Sequence, residues 1–251
     1  MILPGLLDAM RVNLSRRVED VHLFEIGRVF RAAAGGAGGP VEERRALGIA
    51  MHGRLSRGWN LPEEGSDVTF FYLKGLLEEL AAELRVGISG EAAAVPWLHP
   101  GRSARLLVDG AEIGMFGELH PAAAERFDLT GRVHVAEIDL EALLRRATRA
   151  RRFEPLPRYP SVDRDLAVFV PAEVPQAEVL RVIRQAGGPL LETVDLFDVY
   201  TGPQAPPGQR SLAYALQFRA PDRTLTAEEA DAALSRIHAA LRSTLGATPR
   251  A

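Results

Sequence analysis

The order of periodicities after a proline-punctuated stretch constrains this chain more than any other feature. Past Pro155, Pro157 and Pro160, each a breaker of regular structure, the pattern runs strand, helix, strand, strand, helix within about 90 residues. Asp165–Val170 alternates as a strand, and Pro175–Ala186 sets Val179, Val182, Ile183 and Ala186 on one helical face, with Gly187 as its C′ residue. Leu191–Tyr200 is a long strand, and a turn rich in Gly and Pro follows it. Ser211–Arg219 is a third strand. Thr226 opens the last helix, where Glu229 completes a capping box and Ala230, Ala233, Leu234, Ile237, Leu241 and Leu245 form the buried stripe. A few residues remain for a short final strand.

The order βαββα(β) is the split βαβ, or ferredoxin-like, plan, with both helices on one face of an antiparallel sheet and the other face open. Alternation predicts which face is which. Leu212, Tyr214, Leu216 and Phe218 point under the helices, as do Leu166, Val168 and Val170, and Phe197 and Val199. The open face then carries Asp165, Ala167 and Phe169, then Leu196, Asp198 and Tyr200, then Ser211, Ala213, Ala215, Gln217 and Arg219. Phe169 and Tyr200 are candidate stacking rings, the alanines permit close approach, and Asp198, Gln217 and Arg219 offer hydrogen bonds, a combination suited to unpaired RNA bases. Rings on a sheet also pack against linkers or neighbouring domains. Residues 158–251 hold 10 Arg against 11 acidic residues, so charge does not favour RNA. Small-molecule sensors and structural interaction modules use the same topology.

The preceding residues, 1–150, read as an α+β region, and residues 151–157 as a linker. Pro4 suits a first helical turn, and Leu7, Met10 and Leu14 share a face. Val21–Phe30 and Ala46–Met51 are strands, joined by a run, Gly35–Gly39, that lacks the spacing of a dinucleotide or phosphate loop. Asp67–Val86 is helical, with Leu73, Leu76, Leu77, Leu80 and Leu84 as its apolar stripe. Ser103–Val108 and Ala111–Gly117 flank Asp109-Gly110, a strong hairpin signal. Arg132–Ile138 is a strand, after which Asp139 caps a short helix.

Composition then excludes whole classes of function. Zero Cys among 251 residues removes disulfides, thiolate metal sites and cysteine nucleophiles. No apolar run reaches the length of a membrane-spanning helix, and the start carries no signal-peptide pattern. Net charge is −3, and 29 of the 30 basic residues are Arg, which we read as compositional bias. Among six histidines there is no His-x-x-x-His pair. His99 and His120 each precede a proline and read as hydrogen-bonding loop residues, and Glu118 near His120 is a weak acid–base pair. Residue chemistry alone reads as non-catalytic, with no metal site.

Several stretches together carry a family signal. They are Leu3-Pro4-Gly5-Leu6-Leu7 with Asn13, Leu23–Phe30, Lys74-Gly75, His99–Ala104, Ile113-Gly114, Gly117–Pro121, Tyr159–Ala167, Leu196–Tyr200 and Asp222–Thr226 with Glu228-Glu229. In order and spacing, over essentially its whole length, the chain resembles the C-terminal part of the bacterial phenylalanyl-tRNA synthetase beta subunit. The resemblance implies a partial, inactive class II synthetase-like domain over residues 1–150, an antiparallel sheet with helices. It implies a ferredoxin-fold anticodon-binding domain over residues 158–251. Phe24–Arg31 resembles a class II signature strand without its catalytic arginine constellation.

By the same resemblance the partners are tRNA(Phe) and the catalytic alpha subunit, in a heterotetramer of two alpha and two beta subunits, with no membrane. The location is cytoplasmic. The parent reaction uses ATP and Mg2+ in the alpha subunit, and this chain carries no cofactor. Against the family's full length, the N-terminal tRNA-binding-like domain, the editing domain and the first half of the core-like domain are absent, so the chain reads as a fragment or a split product with apolar surface left uncovered. Candidate RNA-contacting residues are Phe169, Tyr200, Gln217 and Arg219 from the face geometry, with Ser161 and Arg164 added from the motif bordering the sheet. Asp222-Arg223-Thr224 reads as a loop-and-cap device, with a structural role for Arg223.

Overall fold

The computed structural model describes residues 1–32, 41–55, 67–148 and 156–250. The glycine run at 35–39 and most of the expected 151–157 linker lie outside the described residues. The chain divides into two units, Met1–Arg151 and Arg152–Ala251.

In the first unit, α1 (Leu3–Ser15) takes Pro4 in its first turn. It is followed by β1 (Val21–Ala32) and β2 (Val41–His52), paired antiparallel. Next come α2 (Phe70–Glu83), β3 (Ile88–Ala92), β4 (Leu98–Val108), β5 (Ala111–Leu119), α3 (Pro121–Arg126), β6 (Val133–Asp139) and α4 (Leu140–Leu144). They form a six-stranded antiparallel sheet in the order β1-β2-β6-β5-β4-β3. Alternation gives the sheet two cores. Ala46, Ala50, Val133 and Val135 face Leu3, Leu6, Leu7 and Met10 of α1, and Ile49, Met51, Phe116 and Ile138 face Leu73 and Leu77 of α2. The turn between β4 and β5 holds Asp109 and Gly110 at φ 50° and 75°, the left-handed pair that a type I′ hairpin requires. Helix α2 is shorter than its periodic pattern. Thr69 caps it by accepting from the Tyr72 amide, and Leu76 stays exposed while Leu73 and Leu77 are buried. Neither β3 nor α3 was expected.

In the second unit, β7 (Val162–Pro171), α5 (Gln176–Gly187), β8 (Leu191–Tyr200), β9 (Gln209–Phe218), α6 (Ala227–Leu245) and β10 (Thr248–Pro249) follow in turn. The sheet order β10-β7-β9-β8 puts the first and third strands at the centre, which is the ferredoxin-like arrangement. Leu166, Val168, Val170, Leu212, Tyr214, Leu216 and Phe218 are buried against Val179, Val182 and Ile183 of α5 and Ile237 and Leu241 of α6. The two glycines at the end of α5 divide the task expected of Gly187. Gly187 ends the helix pressed against Leu191, and Gly188 takes the left-handed φ of 67°. The capping box of α6 forms as expected, Thr226 Oγ1 accepting from the Glu229 amide and the Glu229 carboxylate accepting from the Thr226 amide. Arg223 grips the same carboxylate through two hydrogen bonds of 2.7 and 2.6 Å. That grip, with the Thr226 amide, holds the Glu229 pKa down at about 2. Arg223 is thus a capping residue.

Candidate nucleic-acid interface

Strand register maps the helix-free face of the second unit row by row. At one end Tyr200, Ser211, Phe169 and Thr248 lie opposite one another across β8, β9, β7 and β10. The next row is Asp198, Ala213 and Ala167, followed by Asp195, Ala215 and Asp165, and then Thr193, Gln217 and Asp163. Two strand spacings separate the Phe169 and Tyr200 backbones by about 10 Å, so each ring can serve a separate base. The two alanines between Asp198 and the β10 edge leave the sheet surface low enough for close approach.

The expected alternation fails in β8. Leu196 pairs with Tyr214 and packs on the core, whereas Phe197, expected inward, is 61% exposed. A register shift between Leu196 and Asp198 makes Phe197 an extra residue and resets the parity, so Asp198 and Tyr200 still reach the open face. Val199 pairs with buried Leu212, but it sits on the edge strand and is itself exposed. Phe197 is therefore a second ring available on this strand, besides Tyr200.

The six candidate residues do not form one cluster. Phe169 and Tyr200 share the ring row. Gln217 lies six residues along β9 from Ser211, roughly 20 Å away, with its amide donating to Asp163 at 3.2 Å. Arg219 is committed to Glu192 at 2.8 Å and to the Tyr159 carbonyl. Ser161 lies half-buried just before β7, near this far end. Arg164 is opposite Leu216, on the helix side, and donates to Asp231 of α6 at 2.7 Å. Motif adjacency suggested Arg164 for RNA, but strand parity turns it to the opposite face.

The ring row also contains a residue that alternation had no means of finding. Arg250 hydrogen-bonds through its amide to the Ala167 carbonyl, which carries its side chain across the open face. The guanidinium lies 5.3 Å from the Tyr200 ring centre, 3.2 Å from Ser211 Oγ and 3.8 Å from Asp198 Oδ2. Ser211 is fully buried beneath it. Tyr200 is braced by Gly202, where any side chain would collide with the phenol. The ring end is therefore a preorganised plate, with a phenol and a guanidinium in contact, a carboxylate beside them and Phe169 across the strand.

The rest of the face is acidic. Asp163, Asp165, Asp195 and Asp198 point outward from β7 and β8, with Arg250 as the cation among them. A polyanion gains nothing along that band, so the geometry concentrates any RNA contact at the ring end.

The histidines and Glu118 belong to the first unit's architecture. His99 Nδ1 accepts from the Gly101 amide at 3.1 Å, and His120 Nδ1 accepts from the Ala122 amide at 3.2 Å as the cap of α3. Glu118 is buried and held by Arg102 through bonds of 2.5 and 2.9 Å, with His134 3.7 Å away. Burial pushes the Glu118 carboxyl up, but the Arg102 fork more than offsets it. Burial holds the His134 imidazole below its ordinary value. Among the described residues no group of three or more His, Asp or Glu is placed to hold a metal ion. No helix among them is long and apolar enough to cross a membrane.

Comparison with known proteins follows the same division. The family model described as "Phenylalanyl tRNA synthetase beta chain CLM domain" matches residues 1–140. The chain belongs to the phenylalanyl-tRNA synthetase beta chain family. The model described as "Ferredoxin-fold anticodon binding domain" matches residues 157–250, the unit that carries the ring plate. Among curated relatives, the phenylalanine–tRNA ligase beta subunit of Moorella thermoacetica is 48% identical over 99% of this chain and 31% of its own length. That of Symbiobacterium thermophilum is 46% identical over 100% of this chain and 28% of its own. The beta subunit of Synechococcus sp. JA-3-3Ab is 41% identical, with 99% and 31% covered. The chain thus spans about a third of the length of the curated relatives it matches.

Proposed function

We propose that this chain serves phenylalanyl-tRNA formation in the cytoplasm by holding the anticodon loop of tRNA(Phe) on the open face of its second unit. The observation that carries the reading is the Tyr200–Ser211–Phe169 row on a sheet face free of helices, with Arg250 laid over the phenol. Rings and guanidinium planes receive unpaired bases whatever their identity, and the Asp198 carboxylate accepts from amino and imino groups on a base edge. A base either stacks on the Arg250 guanidinium or displaces it from Tyr200.

The first unit offers a different surface. Phe24 and Ile26 on β1 and Leu76 and Leu80 on α2, with Ile49 and Leu140, line an apolar hollow of about 340 Å3 at the sheet edge. Phe24, Ile26 and Leu76 are 73%, 56% and 39% exposed. Such an apolar patch marks an interface rather than free surface, and we assign it to the catalytic alpha subunit, in a complex of two alpha and two beta subunits. ATP and Mg2+ belong to that subunit in this reading.

Titrating the 251-residue chain with a tRNA(Phe) anticodon stem-loop and an altered-anticodon control tests the RNA reading. Selective binding is expected, with Phe169→Ala and Tyr200→Ala each costing about 1–3 kcal/mol and Gln217→Ala costing little. Equal affinity in both ring variants, or no binding at all, would remove the reading.

A further inference from the structure

The open face supplies rings but almost no positive charge, so the phosphates of a bound strand need another site. Most arginines of the second unit are already engaged. Arg164 pairs with Asp231, Arg219 with Glu192 and Arg223 with Glu229, Arg210 donates to the Val174 carbonyl, and Arg250 faces Asp198. Arg242 makes no ion pair among the described residues, and it borders a cavity of about 280 Å3 between α6 and the β10 edge. Ser235, His238 and Arg242 stand three and four residues apart, which puts them on one stripe of α6 along that cavity. Val168, Ala239 and Pro249 form the apolar wall. A hydroxyl, an imidazole and a guanidinium bordering one hollow are donors suited to a phosphate oxygen cluster.

The hollow lies on the helix side of the sheet, and one residue of chain separates it from the ring plate on the open face. Pro249 lines it, and the next residue, Arg250, crosses to Tyr200 on the open face. Strand β10 is only two residues long, so little separates the two surfaces. We infer that the groove between α6 and β10 binds a backbone phosphate of the same RNA strand whose bases the open face receives, through Arg242, His238 and Ser235. The inference rests on the RNA reading above and adds to it the site where the polyanion is neutralised. A free phosphate has the same chemistry, but the short edge strand between the groove and the ring plate favours the phosphodiester.

The test is the salt dependence of stem-loop binding by the full chain. R242A is expected to reduce the slope of log K against log salt by about 0.7, the share of one phosphate on a single strand, and to weaken matched and altered anticodon loops alike. R242K is expected to keep the slope, and so is R236A, which removes an exposed charge of α6 outside the groove. The His238 imidazole resonance is expected to move when stem-loop is added. Equal losses in R236A and R242A, or an unchanged slope in R242A while Tyr200→Ala still weakens binding, would overturn the groove and leave the open-face reading intact. A His238 shift with inorganic phosphate but none with RNA would also overturn it, marking a small-anion site. Failure of the unaltered chain to bind RNA would overturn both.

Discussion

Tyr214 shows how completely one side chain can be committed to the fold. Its ring is fully buried at the centre of the second unit's core, and its hydroxyl, near Gln176, makes no well-formed hydrogen bond among the described residues. Burial pushes the phenol up to about 12, although Gln176 draws it back somewhat. A raised folded-state value means that the phenol's contribution is complete below the ordinary 10 and is lost as pH climbs towards 12. Replacing Tyr214 with Phe removes an unsatisfied buried oxygen, so urea unfolding should show a gain of about 1 kcal/mol and a flatter alkaline limb. A loss of similar size would mean that the hydroxyl is satisfied. Tyr214 was legible in the sequence because it alternates with Leu212, Leu216 and Phe218. Arg250 was not, since its place depends on a backbone bond to Ala167 more than 80 residues earlier in the chain, and no local period encodes that. Arg164 lies off the open face for a related reason. Its neighbours in sequence border the sheet, but its side chain turns to Asp231.

At the scale of elements, legibility followed pairing. Strands β7 and β9 are paired without interruption along their shared register, so period-two alternation sorted their faces correctly. Edge strand β8 carries register shifts before Thr193 and after Leu196, and each inserted residue reverses the parity that follows. Strand β3, Ile88-Ser89-Gly90-Glu91-Ala92, has too few apolar residues to announce itself and is defined by its ladder with β4. In β5 the glycines have a steric role. A Cβ at Gly117 would come 2.9 Å from Ser103 Cα, and one at Gly114 would come 2.8 Å from Ile138 Cα, with a backbone carbonyl closer still in each case. Gly117→Ala is therefore expected to push β4 from β5 and cost about 1–3 kcal/mol in chemical denaturation, without altering RNA binding by the second unit. A variant as stable as the parent would show that the strands are free to separate at no cost.

For the whole molecule, the chain combines two surfaces of opposite character, each on its own unit. One is an apolar patch around Phe24 and Ile26, beside Leu76 and Leu80, and the other is a plate of rings with polar neighbours around Tyr200. Phe24 is too exposed for Phe24→Asp to disturb folding, so if the proposed alpha-subunit contact holds, that variant should lose co-purification with the alpha subunit by about tenfold while keeping stem-loop binding; retained co-purification would contradict the assignment of this patch. The two-surface account was partly visible in sequence. Periodicity implied an open sheet face, whereas the acidic band on that face required the strand register. The most direct measurement of the central claim is an amide chemical-shift map of the 251-residue chain as anticodon stem-loop is added. The account predicts that the largest changes fall on Phe169, Tyr200, Ala213 and Arg250, and that they diminish with an altered anticodon. Largest changes on the exposed side of α5, or within the six-stranded sheet, would contradict it.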